Sequence, residues 1–155
     1  MNERIGKEET VVSPILVTGG TGTLGRLAVP RLRDAGCDVR VLSRRSREGG
    51  EGVEFVTGDL ATGEGIDAAV EGTEIIVHCA GSTKGDEDKA RHLARAALAA
   101  GVRHLVNISV VGADRIPVAS AIDRAMFGYF ASKLAAERVV AESGLPWTTL
   151  RHPVP

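Results

Sequence analysis

The chain has 155 residues, a length that suits one domain. Its formal net charge is −1, which argues against a broad electrostatic footprint for nucleic acid or anionic membrane. No apolar run reaches the roughly 18–20 residues of a membrane-spanning helix, so no membrane partner is expected.

Hydrophobic residues make up 43% of the chain but aromatics only 3%, so the core must be built from Val, Leu, Ile and Ala. That composition suits a buried parallel sheet covered by helices. Cys37 and Cys79 lie far apart with no C-x-x-C, which disfavours a disulfide framework or zinc site and fits a reduced, cytoplasmic compartment. The four histidines have no metal-ligand spacing, and His78 reads as a core or ligand-facing strand residue.

Residues 1–13 are polar, lack the apolar stretch of a signal peptide and read as a flexible N-terminal arm. Ile15-Leu16-Val17 is a short buried strand, followed by a helix from Leu24 to Ala35 that ends at Gly36. Pro30 inside that helix is expected to kink it. Strands follow at 39–42 and 53–56, then a short helix at 66–70 and a strand at 75–79. An alanine-rich helix covers 86–100, a strand 105–108, and a Gly/Pro-punctuated loop 112–127. A helix from Tyr129 to Ser143 and a strand at 147–150 close the series. Alternating strands and helices with right-handed crossovers give an α/β fold, a doubly wound parallel sheet of about six strands with helices on both faces. A ligand would sit at the carboxyl ends of the strands, where the strand order reverses.

The first strand turns into its helix through Thr18-Gly19-Gly20-Thr21-Gly22-Thr23-Leu24-Gly25. Gly19 permits the tight turn, Gly22 lets backbone approach a pyrophosphate, and Gly25 lets helix and strand pack closely. The helix start offers free N–H groups to the anion, with Thr21, Thr23 and Leu24 beside it. A surface loop would be the plainer meaning of the glycines alone; the strand before and helix after favour a dinucleotide turn.

An acid usually ends the second strand where NAD is preferred, bonding the ribose 2′-hydroxyl. Here Ser43 stands in that place, followed by Arg44 and Arg45, which can pair with a 2′-phosphate. NADP(H) is therefore the preferred cofactor and NAD(H) the second; a solvated arginine cluster is the plainer alternative. After the third strand, Asp59 can accept from the adenine amino group with Leu60 against the ring, or simply cap a turn. Cys79, Ala80 and Gly81 end the fourth strand and would let backbone pass close to the cofactor ribose.

Tyr129 and Lys133 stand at i and i+4 on one helix face. A lysine ammonium near a phenol lowers its pKa, and such a tyrosine can exchange a proton with a substrate oxygen during hydride transfer. Ser109, at the end of the fifth strand, could hold that oxygen, and Lys133 could touch the nicotinamide ribose. A surface pair is the competing reading.

Together these stretches, with Gly101 to Val106, Ile108 to Arg115, Tyr129 to Glu137 and Ser143 to Thr148, resemble the atypical, NmrA-like branch of the short-chain dehydrogenase/reductase superfamily over about residues 14–151. The resemblance implies a Rossmann-like NAD(P)-binding domain over 14–155, with Ser109, Tyr129 and Lys133 as the catalytic set. It implies chemistry less firmly, since some members of the branch reduce small carbonyls or quinones and others sense the cofactor. Two functions stay open: an NADPH-dependent oxidoreductase of a small-molecule substrate, and a non-catalytic regulatory module or inactive relic.

The resemblance also implies a C-terminal substrate region, which is expected to be missing from a chain that stops at Pro155. Members of the branch commonly continue after the equivalent of Arg151 as Ala-Thr-Gln-Phe-His-Asp. A two-base deletion after the arginine codon of a GC-rich gene for that run gives Arg-His-Pro-Val-Pro-stop, which matches 151–155. The expectation is a frameshift-truncated reductase. Sequencing past codon 155 tests it, and the absence of a continuing family-like frame would reject it. Such a chain would expose an edge strand and lack one wall of its substrate cleft, so a homodimer through that edge or through the incomplete substrate face is one way to complete it.

Overall fold

A computed structural model describes residues 12–115 and 120–153. The arm expected over 1–13 lies outside the described residues except for its last two positions. Six strands form one all-parallel sheet: β1 (Ile15–Thr18), β2 (Val39–Ser43), β3 (Val53–Thr57), β4 (Ile75–His78), β5 (His104–Val110) and β6 (Trp147–His152). Their order across the sheet is β3-β2-β1-β4-β5-β6. The order therefore reverses between β1 and β4, where Thr18 stands level with His78.

Alternation along each strand divides the core in two. Leu16, Leu42, Ile76 and Leu105 face α2 (Ile66–Val70), α3 (Asp86–Ala99) and α4 (Ala121–Glu142). Val17, Val39 and Val41 face the other way and meet Val29 and Leu32 of α1 (Gly25–Asp34). Leu16, Ile66, Ile76 and Leu93 are completely enclosed, and each contributes on the order of 2 kcal/mol of burial. The crossovers thus place helices on both faces, as the expected doubly wound architecture requires.

The helix α1 contains Pro30 and runs to Asp34, close to its expected end. One local expectation needs amendment. The loop expected over 112–127 is helical from Ala121, with 116–119 outside the described residues. The cause is a capping box: Ser120 Oγ accepts from the Asp123 N–H at 3.0 Å, and Asp123 Oδ2 accepts from the Ser120 N–H at 2.9 Å. The helix then bends at Phe127, whose φ of −122° and ψ of 17° are not helical. No helix among the described residues is long and apolar enough to cross a membrane.

Candidate functional site

The glycine turn between β1 and α1 is shaped by crowding. Gly19 has φ +69°, and a Cβ there would lie 2.5 Å from the Ala80 N. The turn is therefore pressed against the end of β4, and only glycine fits. A Cβ on Gly25 would collide with Gly19 O and the Gly20 backbone, so this glycine lets α1 start directly against the turn. Gly20, to which the sequence assigned no role, has Val41 Cγ1 2.7 Å from where its Cβ would stand. Gly22 donates its N–H to Gly19 O at 3.0 Å, and Gly22, Thr23 and Leu24 lie exposed at the mouth with Thr21 half-buried. Arg26 Nε braces the turn by donating to Thr21 O at 2.9 Å. The helix opens at Leu24 with no side-chain cap and no acid in its first turn. The Arg26 and Leu27 N–H groups are taken by Gly22 O and Leu24 O, and the positive dipole end of the helix is left to an anion.

Around this turn the strand ends differ in character. Ser43 is buried and its Oγ accepts from the Arg45 N–H at 3.3 Å, so it braces the arginine segment from within. Arg44 and Arg45 are exposed and hold no ion pair among the described residues. Asp59 Oδ1 caps a turn by accepting from the Ala61 N–H at 2.9 Å. Leu60 is a core residue in the α2–α3 cluster, 7% exposed. Cys79 donates its N–H to Thr18 O at 3.0 Å. Burial pushes its thiol up to about 11, against the opposing charge of Lys133, so it stays protonated at neutral pH. Ala80 packs half-buried against the core cluster.

On the α4 side of the sheet, polar groups gather at the same end. Thr18 Oγ1 and His78 Nδ1 are 2.6 Å apart and fully enclosed. Ser109 is 1% exposed, and its hydroxyl has no hydrogen-bond partner among the described residues. Such a buried, unsatisfied hydroxyl is uncommon and marks a place where a ligand group can bond. Lys133 is 8% exposed, with Nζ 3.2 Å from Asp86 Oδ2 and 5.5 Å from the centre of the Tyr129 ring. A Cβ on Gly81 would collide with that ammonium, so the space beside Gly81 holds Lys133 rather than a close backbone approach alone.

The expected lowering of the tyrosine pKa is not what the arrangement gives. Burial, followed by the Asp86 carboxylate, pushes the Tyr129 phenol up from its ordinary value. Lys133 places its charge against Asp86 and over the ring face, instead of giving it undivided to the phenol. Asp86 was not singled out from sequence. An acid in the first turn of a helix ordinarily serves the helix dipole, and nothing local signals its partner on α4.

Glycine cradle, helix start and polar cluster meet at the reversal of strand order, and they define a Rossmann-type dinucleotide domain of the short-chain dehydrogenase/reductase kind. A family model described as NAD(P)H-binding matches residues 19–154, and the chain belongs to that family. Its cofactor is therefore of the nicotinamide dinucleotide class.

Over 140 residues the chain is 36% identical to the (4-alkanoyl-5-oxo-2,5-dihydrofuran-3-yl)methyl phosphate reductase of Streptomyces griseus, covering 88% of this chain and 46% of that protein. It is 36% identical over 141 residues to the ceramide reductase of Caulobacter vibrioides, covering 81% of this chain and 41% of the relative. The chain thus spans less than half the length of these curated relatives. Among solved structures, a short-chain dehydrogenase/reductase superfamily protein from Agrobacterium tumefaciens with bound NAD superposes with a TM-score of 0.71 at 27% identity, covering 88% of this chain and 48% of that one.

Proposed function

We propose that residues 14–155 form the cofactor-binding and proton-handling domain of an NADP(H)-preferring oxidoreductase acting on a small carbonyl or quinone, with NAD(H) as the lesser cofactor. The observation that carries this reading is the buried Ser109 hydroxyl, without a hydrogen-bond partner among the described residues, at the same end of the sheet as Lys133 and the glycine turn. Both relatives described above are named reductases, which supports the reaction class.

The residues divide the work by their chemistry. The uncapped start of α1 and the Gly19–Gly25 turn receive the pyrophosphate. Arg44, then Arg45, meets the 2′-phosphate. Lys133 reaches the nicotinamide ribose. Ser109 donates a hydrogen bond to the substrate oxygen. Tyr129, kept protonated by its raised pKa, gives its proton to that oxygen as reduction proceeds. The bound nicotinamide supplies the hydride.

Titration with NADPH and NADP⁺, followed by assays of quinone and carbonyl reduction, tests the reading. Tyr129→Phe should bind NADPH as the wild type does and lose on the order of 100-fold or more in turnover. Tight binding with no turnover in the wild type would leave a cofactor-binding module. Unchanged turnover in Tyr129→Phe would remove the tyrosine from the chemistry.

A further inference from the structure

Asp86 is 1% exposed at the first position of α3. Its Oδ1 accepts from the Ser82 N–H at 2.8 Å and lies 3.4 Å from Lys89 Nζ. Its N–H donates to Ser132 Oγ on α4 at 3.3 Å. Among the described residues Oδ2 has no hydrogen bond, although Lys133 Nζ is 3.2 Å away, close enough to pair charges but off the line a hydrogen bond needs. A buried carboxylate is costly unless it is paired and hydrogen-bonded, and here one oxygen takes the Ser82 N–H while the other faces the Lys133 ammonium. The ammonium in turn fills the space that Gly81 leaves by having no side chain.

We propose that Asp86 is a positioning residue: its carboxylate holds the Lys133 ammonium over Gly81, and that hold governs how much of the lysine's charge reaches the Tyr129 hydroxyl. The inference rests on Tyr129 and Lys133 being the proton-handling pair. The other groups facing the pair cannot replace Asp86 in this role. Lys89 on α3 has the same sign as Lys133 and is itself held by Ser82 Oγ at 2.7 Å. His78 on β4 is buried and neutral at physiological pH, since its pKa is pushed down to about 4. Cys79 is a protonated thiol at that pH. Lys84, Glu87 and Asp88 line the groove beside Tyr129, but the carboxylate facing Lys133 at ion-pair distance belongs to Asp86.

Substituting asparagine at Asp86 removes the charge while keeping an acceptor for the Ser82 N–H. Lys133 is then free to move toward the phenol, and the phenolate is favoured twice over: a negative charge is lost and a positive one approaches. In a Lys133→Met background only the first effect remains.

The chain contains a single tyrosine, so the absorbance of tyrosinate during an alkaline titration reports Tyr129 alone. The experiment compares wild type, Asp86→Asn, Lys133→Met and the double variant, with far-UV circular dichroism showing each folded through its transition. Asp86→Ser replaces Asp86→Asn if the latter does not fold. The expected result is a downward shift of the Tyr129 midpoint on removing Asp86, clearly larger with Lys133 present than without it. An equal or larger shift in the Lys133→Met background, or no shift, overturns the proposal, because Asp86 would then act directly or only as a structural cap. NADPH titration of the same proteins separates the two readings. Coupling without nicotinamide binding defeats the proposed function alone, and binding with additive shifts defeats the positioning role alone.

Discussion

His78 is completely enclosed at the carboxyl end of β4, with Thr18 as its hydrogen-bond partner. Burial first, then the Lys133 charge, lowers its pKa from 6.5 to about 4; Asp86 opposes this and Lys89 adds to it. The unfolded chain binds this proton near pH 6.5 and the folded chain only near pH 4, so the unfolded state carries more protons between those values. Stability is therefore full above pH 6.5 and declines as pH falls toward 4, by up to roughly 3 kcal/mol from this group. Urea midpoints at pH 7.5 and 4.5 measure the loss, and His78→Asn should reduce the difference between them. An undiminished difference in the variant would assign the acid sensitivity elsewhere. At this scale the glycines are the most legible part of the sequence. The crowding at Gly19 and Gly25 follows from one local turn, and a spacing of glycines between strand and helix announces it. The Asp86–Lys133 and Thr18–His78 pairs are not legible, because each partner's position is set by packing of elements far apart in the chain.

Between elements, Arg151 ties the edge strand to its neighbours. Its Nε and Nη2 donate to Glu137 of α4 at 3.0 and 2.7 Å, and its Nη1 lies 3.0 Å from Asp114 beyond β5. Glu137 is only 8% exposed, so removing the guanidinium leaves a nearly buried carboxylate without its bidentate partner. Arg151→Met should cost about 2 kcal/mol, read from the urea midpoint. Adding Glu137→Gln should recover part of that loss, since the stranded charge goes with it. A variant as stable as wild type would make the clamp incidental. The elements themselves were mostly readable, because short apolar runs bounded by glycine give strands and glycines at 36, 101 and 144 stop the preceding helices. The start of α4 was misread although Ser120 and Asp123 carry a capping signal. The glycines and proline between 112 and 128 outweighed it, and the bend at Phe127 breaks the helical repeat at that point.

Over the whole molecule, α1 covers only the β1–β2 side of its sheet face. Ile75 is 40% and Leu150 52% exposed on the part of that face formed by β4, β5 and β6. The dinucleotide turn is framed by β1, β2, the end of β4 and α1, all among the described residues. Cofactor binding should therefore be measurable on this chain as stabilisation, and its size discriminates the two nicotinamide cofactors. A ligand at a hundred times its dissociation constant raises unfolding free energy by about 2.7 kcal/mol. A 2′-phosphate met by a guanidinium adds roughly 1.5–3 kcal/mol over a cofactor without it, equivalent to tenfold or more in affinity. At equal concentrations NADPH should thus raise the melting temperature more than NADH. Arg44→Ala should narrow the gap mainly by lowering the NADPH response, with Arg45→Ala having the smaller effect. The difference should also shrink as salt is added, because both arginines are exposed and their charges are screened. Equal stabilisation of the wild type by the two cofactors, or a gap that survives loss of both arginines, would show that the segment after β2 does not read the 2′ position.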